Sequence, residues 1–284
     1  MPLRIYNNID SMNSQMALTV NSALLGKSIS RIASGVRVTN ASDDGGSMAV
    51  AEGINSDIVA LKQGSRNLND GISLVKTADG GLGEVSSMII RLRELAAQSS
   101  NGTIGQNVRG TLQLEYDALT KEIDRISTTT EFGGQKLIDG SMSNASSEHL
   151  IIQVGSNVTA ADRIDLNASI NLTAVTTTGL GIAGTSISDL ASSQSALGAL
   201  ALAIQNLTTI RGKIGATQNQ MLRNLNVQDA TVENLTKARS TLKDADMAEE
   251  LAGLTKNQIL VQGSTAMVGQ ANLIPQAVLR LLQQ

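Results

Sequence analysis

Cysteine and tryptophan are absent from this 284-residue chain, which also has only one phenylalanine, two tyrosines, two prolines and one histidine. Without cysteine it can form no disulfide, thiolate metal site or cysteine nucleophile. So few aromatic residues cannot dominate a core, which must be built from Ala, Ile, Leu, Val and Met. Because only Pro2 and Pro275 are present, almost nothing interrupts a helix. The composition therefore predicts long helices packed side by side.

Strong charge and long apolar runs are also missing. The net charge is −3, with Lys and Arg scattered along the chain, so there is no electrostatic footprint for nucleic acid. No apolar run approaches the length of a membrane span, and we expect no membrane insertion. The first eight residues contain no apolar signal-peptide core. This favours either a cytosolic protein or one exported by a route that reads no cleaved signal.

Residues for catalysis or for a cofactor are equally scarce. His149 begins a predicted strand with no second His and no Cys as a partner, so we expect no metal or catalytic role for it. Residues 179–184 match the spacing of a dinucleotide fingerprint, but the helical stretch 199–205 has no acidic residue to hold a ribose. We interpret residues 179–184 as a flexible turn and expect neither an enzyme nor a cofactor. A dinucleotide-binding enzyme stays as an alternative that cofactor titration would test.

Apolar residues recur at helical spacing over most of the chain. One pattern runs from Ile54 to Ala96 through Gly80 and Gly81, which predicts a helix of about 50 residues. A second pattern covers 108–126 and a third covers 197–242. Three amphipathic helices of this length can bury their apolar stripes only against one another, as a rod-like bundle.

The sequence changes character between the second and third helices, over residues 131–188. Gly, Ser and Asn mark turns here, and residues 149–154 and 163–166 are typical of two short strands around a turn at 155–157. A single hairpin is only marginally stable in water, so it must pack against the helices. The predicted fold class is therefore mainly α. It is a long antiparallel coiled-coil or rod-like helical bundle with a small β-hairpin region at the chain reversal.

The two ends of the chain are predicted to pair, because each is weakly apolar at helical spacing. In the C-terminal stretch, most of the apolar residues are seven positions apart, which is the spacing of a left-handed coiled-coil seam. The predicted terminal seam consists of Ile9, Met12, Met16, Met247, Leu251, Leu254, Val261 and Val268. The intermediate positions Gln258, Thr265 and Asn272 are polar, so this helix pair should gain its order from neighbouring molecules.

This pairing also predicts the domain organisation. Residues 1–45 and 240–284 would form an inner coiled-coil domain made by both terminal helices. Residues 46–239 would form a rod-like helical domain, with 131–188 as its hairpin and turn region.

Five blocks of sequence, in order and at both ends, resemble bacterial flagellin. An Arg-Leu-Arg-Glu-Leu-Ala-Ala-Gln-Ser run is one block and an Ala-Asp-Met-Ala-Glu-Glu run is another. The blocks lie at 34–51, 91–99, 132–138, 245–250 and 254–279. The likeness covers about residues 1–140 and 185–284. Many flagellins carry large outer domains in the middle, whereas this chain has only the short hairpin region, so it resembles a short flagellin.

The resemblance implies an extracellular structural subunit that polymerises into the helical flagellar filament for swimming motility. It implies export through the flagellar type III apparatus without a cleaved signal. The implied partners are further copies of the chain, an export chaperone and the filament cap protein. In flagellins the terminal segments pair as helices only in the filament, where they line the central channel.

Two other flagellar proteins are alternatives to a plain filament subunit. A hook–filament junction protein shares the out-and-back helical plan, but its C-terminal end is not expected to match residues 271–279 so closely. A flagellin with an embedded metallopeptidase would need a His-Glu-x-x-His motif, which a single histidine excludes.

The resemblance further implies a surface recognised by the vertebrate Toll-like flagellin receptor. Its residues would be Arg91 and Leu95 on the first rod helix and Glu115 on the second. In the plainer interpretation, Leu95 packs between helices while Arg91 and Glu115 form ion pairs between subunits. Both interpretations can hold, with assembly as the primary role.

Overall fold

The computed structural model describes residues 8–282, with side chains described for 8–273. Within this range, six α-helices and four short strands make the mainly α fold that the sequence predicted. They are α1 (Ile9–Ser34), α2 (Gly45–Ser99), α3 (Gln106–Thr129), β1 (Glu131–Phe132), β2 (Gln135–Lys136), β3 (Ile151–Gln153), β4 (Arg163–Asp165), α4 (Leu166–Ile170), α5 (Leu190–Lys243) and α6 (Met247–Leu282). None of the helices so described is both long and apolar enough to cross a bilayer.

The chain divides into two compact units. One joins the two ends of the chain, up to Ser56 and from Asn234, and the other is Asp57–Glu233. Both boundaries fall inside long helices, α2 and α5, whereas the sequence pattern placed them near residues 45 and 240. The helices continue through the boundaries, so no break in apolar periodicity marks them.

In the unit made by the two ends, α1 and α6 lie antiparallel along each other. Asn8 caps the start of α1, and Gly35 ends it in the left-handed conformation with φ 70°, a common use of glycine after a helix. The segments that follow α1 and precede α6 also pair. The N–H of Arg37 donates to the carbonyl of Lys243 (2.7 Å), and that of Ala245 donates to the carbonyl of Gly35 (3.0 Å).

The second unit has one continuous apolar core. α2 runs for 55 residues without interruption and, as predicted, contains Gly80 and Gly81. Its buried residues recur at steps of three and four, which is the stripe of an amphipathic helix. Those fully covered in the core are Leu68, Val75, Leu82, Val85, Ile89 and Leu92. The same core receives Tyr116 and Ile123 from α3 and Leu200, Leu207 and Ile214 from α5.

Two small hairpins lie in the region where the chain reverses. β3 and β4 pair antiparallel with Ile152 opposite Ile164, which confirms the predicted hairpin. β4 ends one residue earlier than predicted, because the Asp165 carboxylate accepts the N–H of Ala168 and starts α4 at Leu166. The pair β1–β2 was predicted only as a turn, since each strand has two residues. Gly133 and Gly134, both at positive φ, join them.

The region where the chain reverses, residues 131–188, packs against the helices through apolar and polar contacts. Leu137, Ile138, Leu172 and Val175 are fully buried in the shared core. Polar groups of α3 fasten the irregular segment that follows. The Asp124 carboxylate accepts both the N–H and the hydroxyl of Thr177 (2.7 and 2.9 Å), the Gln113 amide oxygen accepts the N–H of Ile187 (2.6 Å), and Tyr116 shares a hydrogen bond with Thr185 (2.6 Å).

Candidate assembly surfaces

The seam between α1 and α6 repeats every seven residues on both helices. Its buried and half-buried positions alternate at steps of three and four, as in a coiled coil. On α1 they are Ser11, Ser14, Leu18, Asn21, Leu25, Ser28 and Ile32. On α6 they are Glu250, Leu254, Asn257, Val261, Ser264, Val268 and Ala271. Half of this seam is therefore polar.

Hydrogen bonds between the two helices fix their register. The Asn21 amide donates to the hydroxyl of Ser264 (2.7 Å), and the Asn257 amide donates to the hydroxyl of Ser28 (3.0 Å). In this register, Leu25 falls level with Val261, so polar and apolar layers alternate along the pair. A seam of this kind specifies alignment better than it stabilises the pair.

The seam corrects part of the sequence prediction. Leu254, Val261 and Val268 lie on it as predicted. The other five predicted residues are exposed and point elsewhere: Ile9, Met12, Met16, Met247 and Leu251. Between the α6 residues that are seven apart, the structure places seam residues three positions further along the chain, such as Glu250 and Asn257. The prediction had placed them four positions further along. Apolar periodicity alone does not reveal the polar seam residues, although Ser and Asn recur in step with Leu18 and Leu25.

The predicted α1 residues belong instead to an apolar stripe on the opposite face of the helix. With Val20, the exposed residues Ile9, Met12 and Met16 recur at steps of three and four. We call these four residues the α1 outward stripe. The second helix has its own exposed apolar residues, here called the α6 outward residues: Ile259, Leu260, Met267 and Leu273. A contiguous exposed apolar stripe such as the one on α1 is typical of surfaces that other protein covers.

Ion pairs close the end of the seam near residues 31–43. The Arg31 guanidinium contacts the Glu250 carboxylate (2.9 Å). The Lys27 ammonium contacts the Asp43 carboxylate (2.7 Å). Hydrogen bonds from Lys27 and then from Thr39 lower the pKa of Asp43 to about 2. Asp43 is therefore ionised at neutral pH and ties the segment between α1 and α2 to α1.

The three residues predicted for receptor contact lie together on α2 and α3, but only two are on the surface. The Arg91 guanidinium contacts Glu115 (2.8 Å) and Glu94 (3.0 Å), and these hydrogen bonds, first the one to Glu115, raise the pKa of Arg91. Arg91 and Glu115 are both about half exposed, and the apolar side chains of Ile90 and Leu114 beside them are exposed too. Leu95 is only 1% exposed, so its contacts are with the core.

Two sequence features could suggest chemistry, and the structure gives the local geometry of each. Gly179–Gly184 is a turn with positive φ at Gly181 and Gly184, and no helix begins until Leu190. Over residues 8–282, no cluster of three or more His, Asp or Glu side chains is arranged to hold a metal. His149 instead contacts Asp165 through its Nδ1 atom (2.6 Å).

This contact predicts the titration of the single histidine. The hydrogen bond to Asp165 raises the pKa of His149 above its ordinary 6.5. The charged pair therefore stabilises the β3–β4 hairpin fully below that ordinary pKa, and the contribution disappears as the pH rises through the raised value. We expect the imidazole signals in an NMR titration to have a midpoint above 6.5.

The Asp165→Asn variant is the control for this titration. Its side-chain oxygen can still accept the N–H of Ala168, so α4 keeps its cap while the ion pair is lost. The midpoint of His149 should then move down. An unchanged midpoint would mean that Asp165 does not set this pKa.

Comparison with known proteins agrees with this geometry. The family model described as the bacterial flagellin N-terminal helical region matches residues 5–143, and the one described as the bacterial flagellin C-terminal helical region matches residues 197–282. A flagellin of Halalkalibacterium halodurans is 38% identical over 279 residues, covering 98% of this chain and 99% of that protein. The chain belongs to the bacterial flagellin family. This flagellin is also 32% identical over 287 residues to a flagellar filament 31.3 kDa core protein of Treponema maltophilum, covering 98% and 99% of the two chains.

A more distant likeness concerns the fold alone. The structure of a protein described as flagellar hook-associated, from Vibrio parahaemolyticus, matches with a TM-score of 0.58 and 14% identity. It covers 71% of this flagellin and all of that chain. Relatives that match along the whole chain are flagellins and filament core proteins, so the hook–filament junction alternative is not favoured. This flagellin is a structural subunit of the flagellar filament.

Proposed function

We propose that this flagellin polymerises by covering the outward surfaces of α1 and α6 with neighbouring copies of the same chain. The observation that carries the proposal is the α1 outward stripe, whose four large apolar side chains are all exposed. Burying apolar surface is the main favourable term in most protein association. The α6 outward residues extend the available apolar surface on the partner helix.

The polar seam supports a coupling between helix formation and assembly. The α1 outward stripe and the α6 outward residues stay outside the pair, while the seam alternates apolar layers with Ser and Asn layers. Net stabilisation from such hydrogen bonds is small, because water satisfies the same groups in the unfolded chain. We infer that the terminal helices gain much of their order in the filament, where the outward surfaces are covered.

Electron microscopy with circular dichroism tests this proposal. The purified chain is examined before and after polymerisation seeded with filament fragments. We expect long filaments together with an increase in helical signal. Filaments without any gain of helix would contradict the coupling, and a species that never polymerises would contradict the assembly proposal itself.

Location, export and further partners are proposed from family membership. We propose that this flagellin acts outside the cell, in the filament used for swimming motility, after export by the flagellar type III apparatus. Before assembly, an export chaperone would cover apolar surface of the terminal helices, and the filament cap protein would receive the subunit. Co-purification of an unassembled subunit with the chaperone would test the first of these contacts.

We also propose a second surface, for the vertebrate Toll-like flagellin receptor. Its centre would be the Arg91–Glu115 ion pair that bridges α2 and α3. The exposed Ile90 and Leu114 would add apolar contact area next to it. Leu95 would contribute indirectly, by packing under the helix surface that carries Arg91.

Substitutions separate direct contact from packing at this surface. Arg91→Ala and Glu115→Ala should weaken receptor signalling while leaving the melting temperature of the monomer nearly unchanged, because exposed ion pairs contribute little to stability. Leu95→Ala should cost about 2–5 kcal/mol of stability through the cavity it leaves in the core. Reporter-cell signalling and thermal unfolding are measured for each variant. Full signalling by both charge variants would exclude this receptor site.

A further inference from the structure

The methionines of this flagellin are distributed unevenly between surface and core. The chain has nine, and in the described part Met12, Met16 and Met267 are 64%, 69% and 61% exposed. Met247 is also exposed. All four lie on α1 or α6, whereas Met142 and Met221, in the other unit, are fully buried. Among the methionines whose side chains are described, those with exposed thioethers thus lie on the two helices proposed to carry assembly, while Met48 and Met88 on α2 are half-buried.

We infer that these four methionines form an oxidation site that controls polymerisation, an inference that rests on the proposed assembly of α1 and α6. The co-substrate is a peroxide, with hydrogen peroxide as the simplest member. One peroxide oxygen is transferred to the thioether sulfur, so an S–O bond forms and the O–O bond breaks. The sulfur is oxidised to the sulfoxide, and the peroxide is reduced to water.

Composition makes methionine the principal target of such an oxidant. Cysteine, the side chain that peroxides attack most readily, is absent, and so is tryptophan. Exposure then selects among the methionines, since oxidation of a thioether requires access of the oxidant to sulfur. Met142 and Met221 are shielded in the core and serve as internal references for that selection.

Because of where these methionines lie, their oxidation should affect assembly and leave folding unchanged. Met12 and Met16 lie on the α1 outward stripe, opposite the seam, so a sulfoxide there leaves the Asn21–Ser264 and Ser28–Asn257 contacts intact. Oxidation converts a flexible apolar side chain into a polar one, which disrupts methionine-rich interfaces. The oxidised monomer should keep the helical content of the untreated monomer and lose its ability to polymerise. Assembled subunits should be protected, because neighbouring copies cover the stripe.

The experiment compares the chain with a variant in which all four exposed methionines are replaced, M12L/M16L/M247L/M267L. Leucine has a similar volume and apolar character and cannot be oxidised by peroxide. Both monomers are treated with hydrogen peroxide, mapped by mass spectrometry, examined by circular dichroism and then seeded for polymerisation. We expect sulfoxide at the four exposed positions, little at Met142 and Met221, and unchanged helical signal. Measured against its own untreated sample, the wild-type chain should lose its filaments on treatment, whereas the leucine variant should show no further loss.

Reversal and the untreated samples complete the design. Methionine sulfoxide reductases with dithiothreitol should restore polymerisation of the oxidised chain, as the dithiol becomes a disulfide and the sulfoxide oxygen leaves as water. Normal filaments from fully oxidised wild type would overturn the inference. So would loss of filaments from the treated leucine variant, since other residues would then be responsible. Failure of untreated wild type to polymerise would instead reject the underlying assembly proposal.

Discussion

The double substitution M12E/M16E should abolish filament formation by this flagellin without unfolding the monomer. Both residues lie on the α1 outward stripe and are largely exposed in the single chain. Burial of a methionine side chain contributes about 1.5–3 kcal/mol, so two contribute about 3–6 kcal/mol to each subunit contact. At 1.4 kcal/mol for each factor of ten, the critical concentration should rise more than about a hundredfold. The cost of burying two carboxylates adds to this loss.

Sedimentation of seeded samples over a range of concentrations measures the effect. The matched control is M12L/M16L, which keeps the stripe apolar and should polymerise at nearly the wild-type concentration. Circular dichroism of the monomers should be alike in all three chains, since neither position contributes to the seam with α6. Filaments of M12E/M16E at the wild-type critical concentration would show that the stripe stays in contact with solvent.

The sequence predicted the long helices and the pairing of the chain ends well. Helical spacing continues through Gly80 and Gly81, and α2 is uninterrupted there. The cost of about 1 kcal/mol for a glycine in a helix is small beside the burial of the apolar stripe that surrounds this pair. The β3–β4 hairpin was also predictable, because short runs that contain Ile lie on both sides of a Gly-Ser-Asn turn.

The orientation of α1 could not be predicted from periodicity. A run such as Ile9, Met12 and Met16 indicates an apolar face, but it does not say whether the same chain or another molecule covers that face. In an assembling subunit the more apolar face can be left for neighbours, and the pairing within the chain then falls to Asn21, Ser28 and similar residues. A search for any side chains that repeat every seven residues, polar ones included, would have found the seam.

The resemblance to flagellin predicted which residues would contact the receptor but could not give the burial of their side chains. Arg91 and Leu95 are four residues apart, which places them on neighbouring parts of a helix surface. Their environments nevertheless differ, because the cover over Leu95 comes from the core cluster shared with distant parts of the chain. Contacts with such sequence-distant residues leave no local signature.

Glycine positions on α2 were another feature that sequence spacing left unexplained. Gly64 and Gly71 lie two turns apart and face the β3 strand. A Cβ atom at Gly64 would collide with the carbonyl oxygen of Val154 and the side-chain amide of Gln228, and one at Gly71 would collide with the end of Ile152. Glycine at these positions allows the hairpin to lie directly against the backbone of α2.

The substitution Gly64→Ala should therefore be strongly destabilising. The atom that the new methyl group meets is a backbone carbonyl, which cannot rotate away as a side chain can. That carbonyl accepts a hydrogen bond from the Gln228 amide (2.8 Å), which also donates to the carbonyl of Leu61 (2.7 Å). Overpacking and the loss of these buried hydrogen bonds should together cost about 2–5 kcal/mol. Thermal unfolding should show a melting temperature lower by roughly 5–15 °C.

The control is Gly80→Ala, on the same helix, where an added Cβ has nothing within 4 Å. There alanine should raise the stability by up to about 1 kcal/mol, because it has the higher helix propensity. Gly71→Ala should fall between the two, since the Ile152 side chain it meets can adopt another rotamer. A Gly64→Ala chain as stable as the wild type would mean that the hairpin can move away from α2 at little cost. In that case the close contact of β3 with α2 would not be needed to hold the reversal region in place.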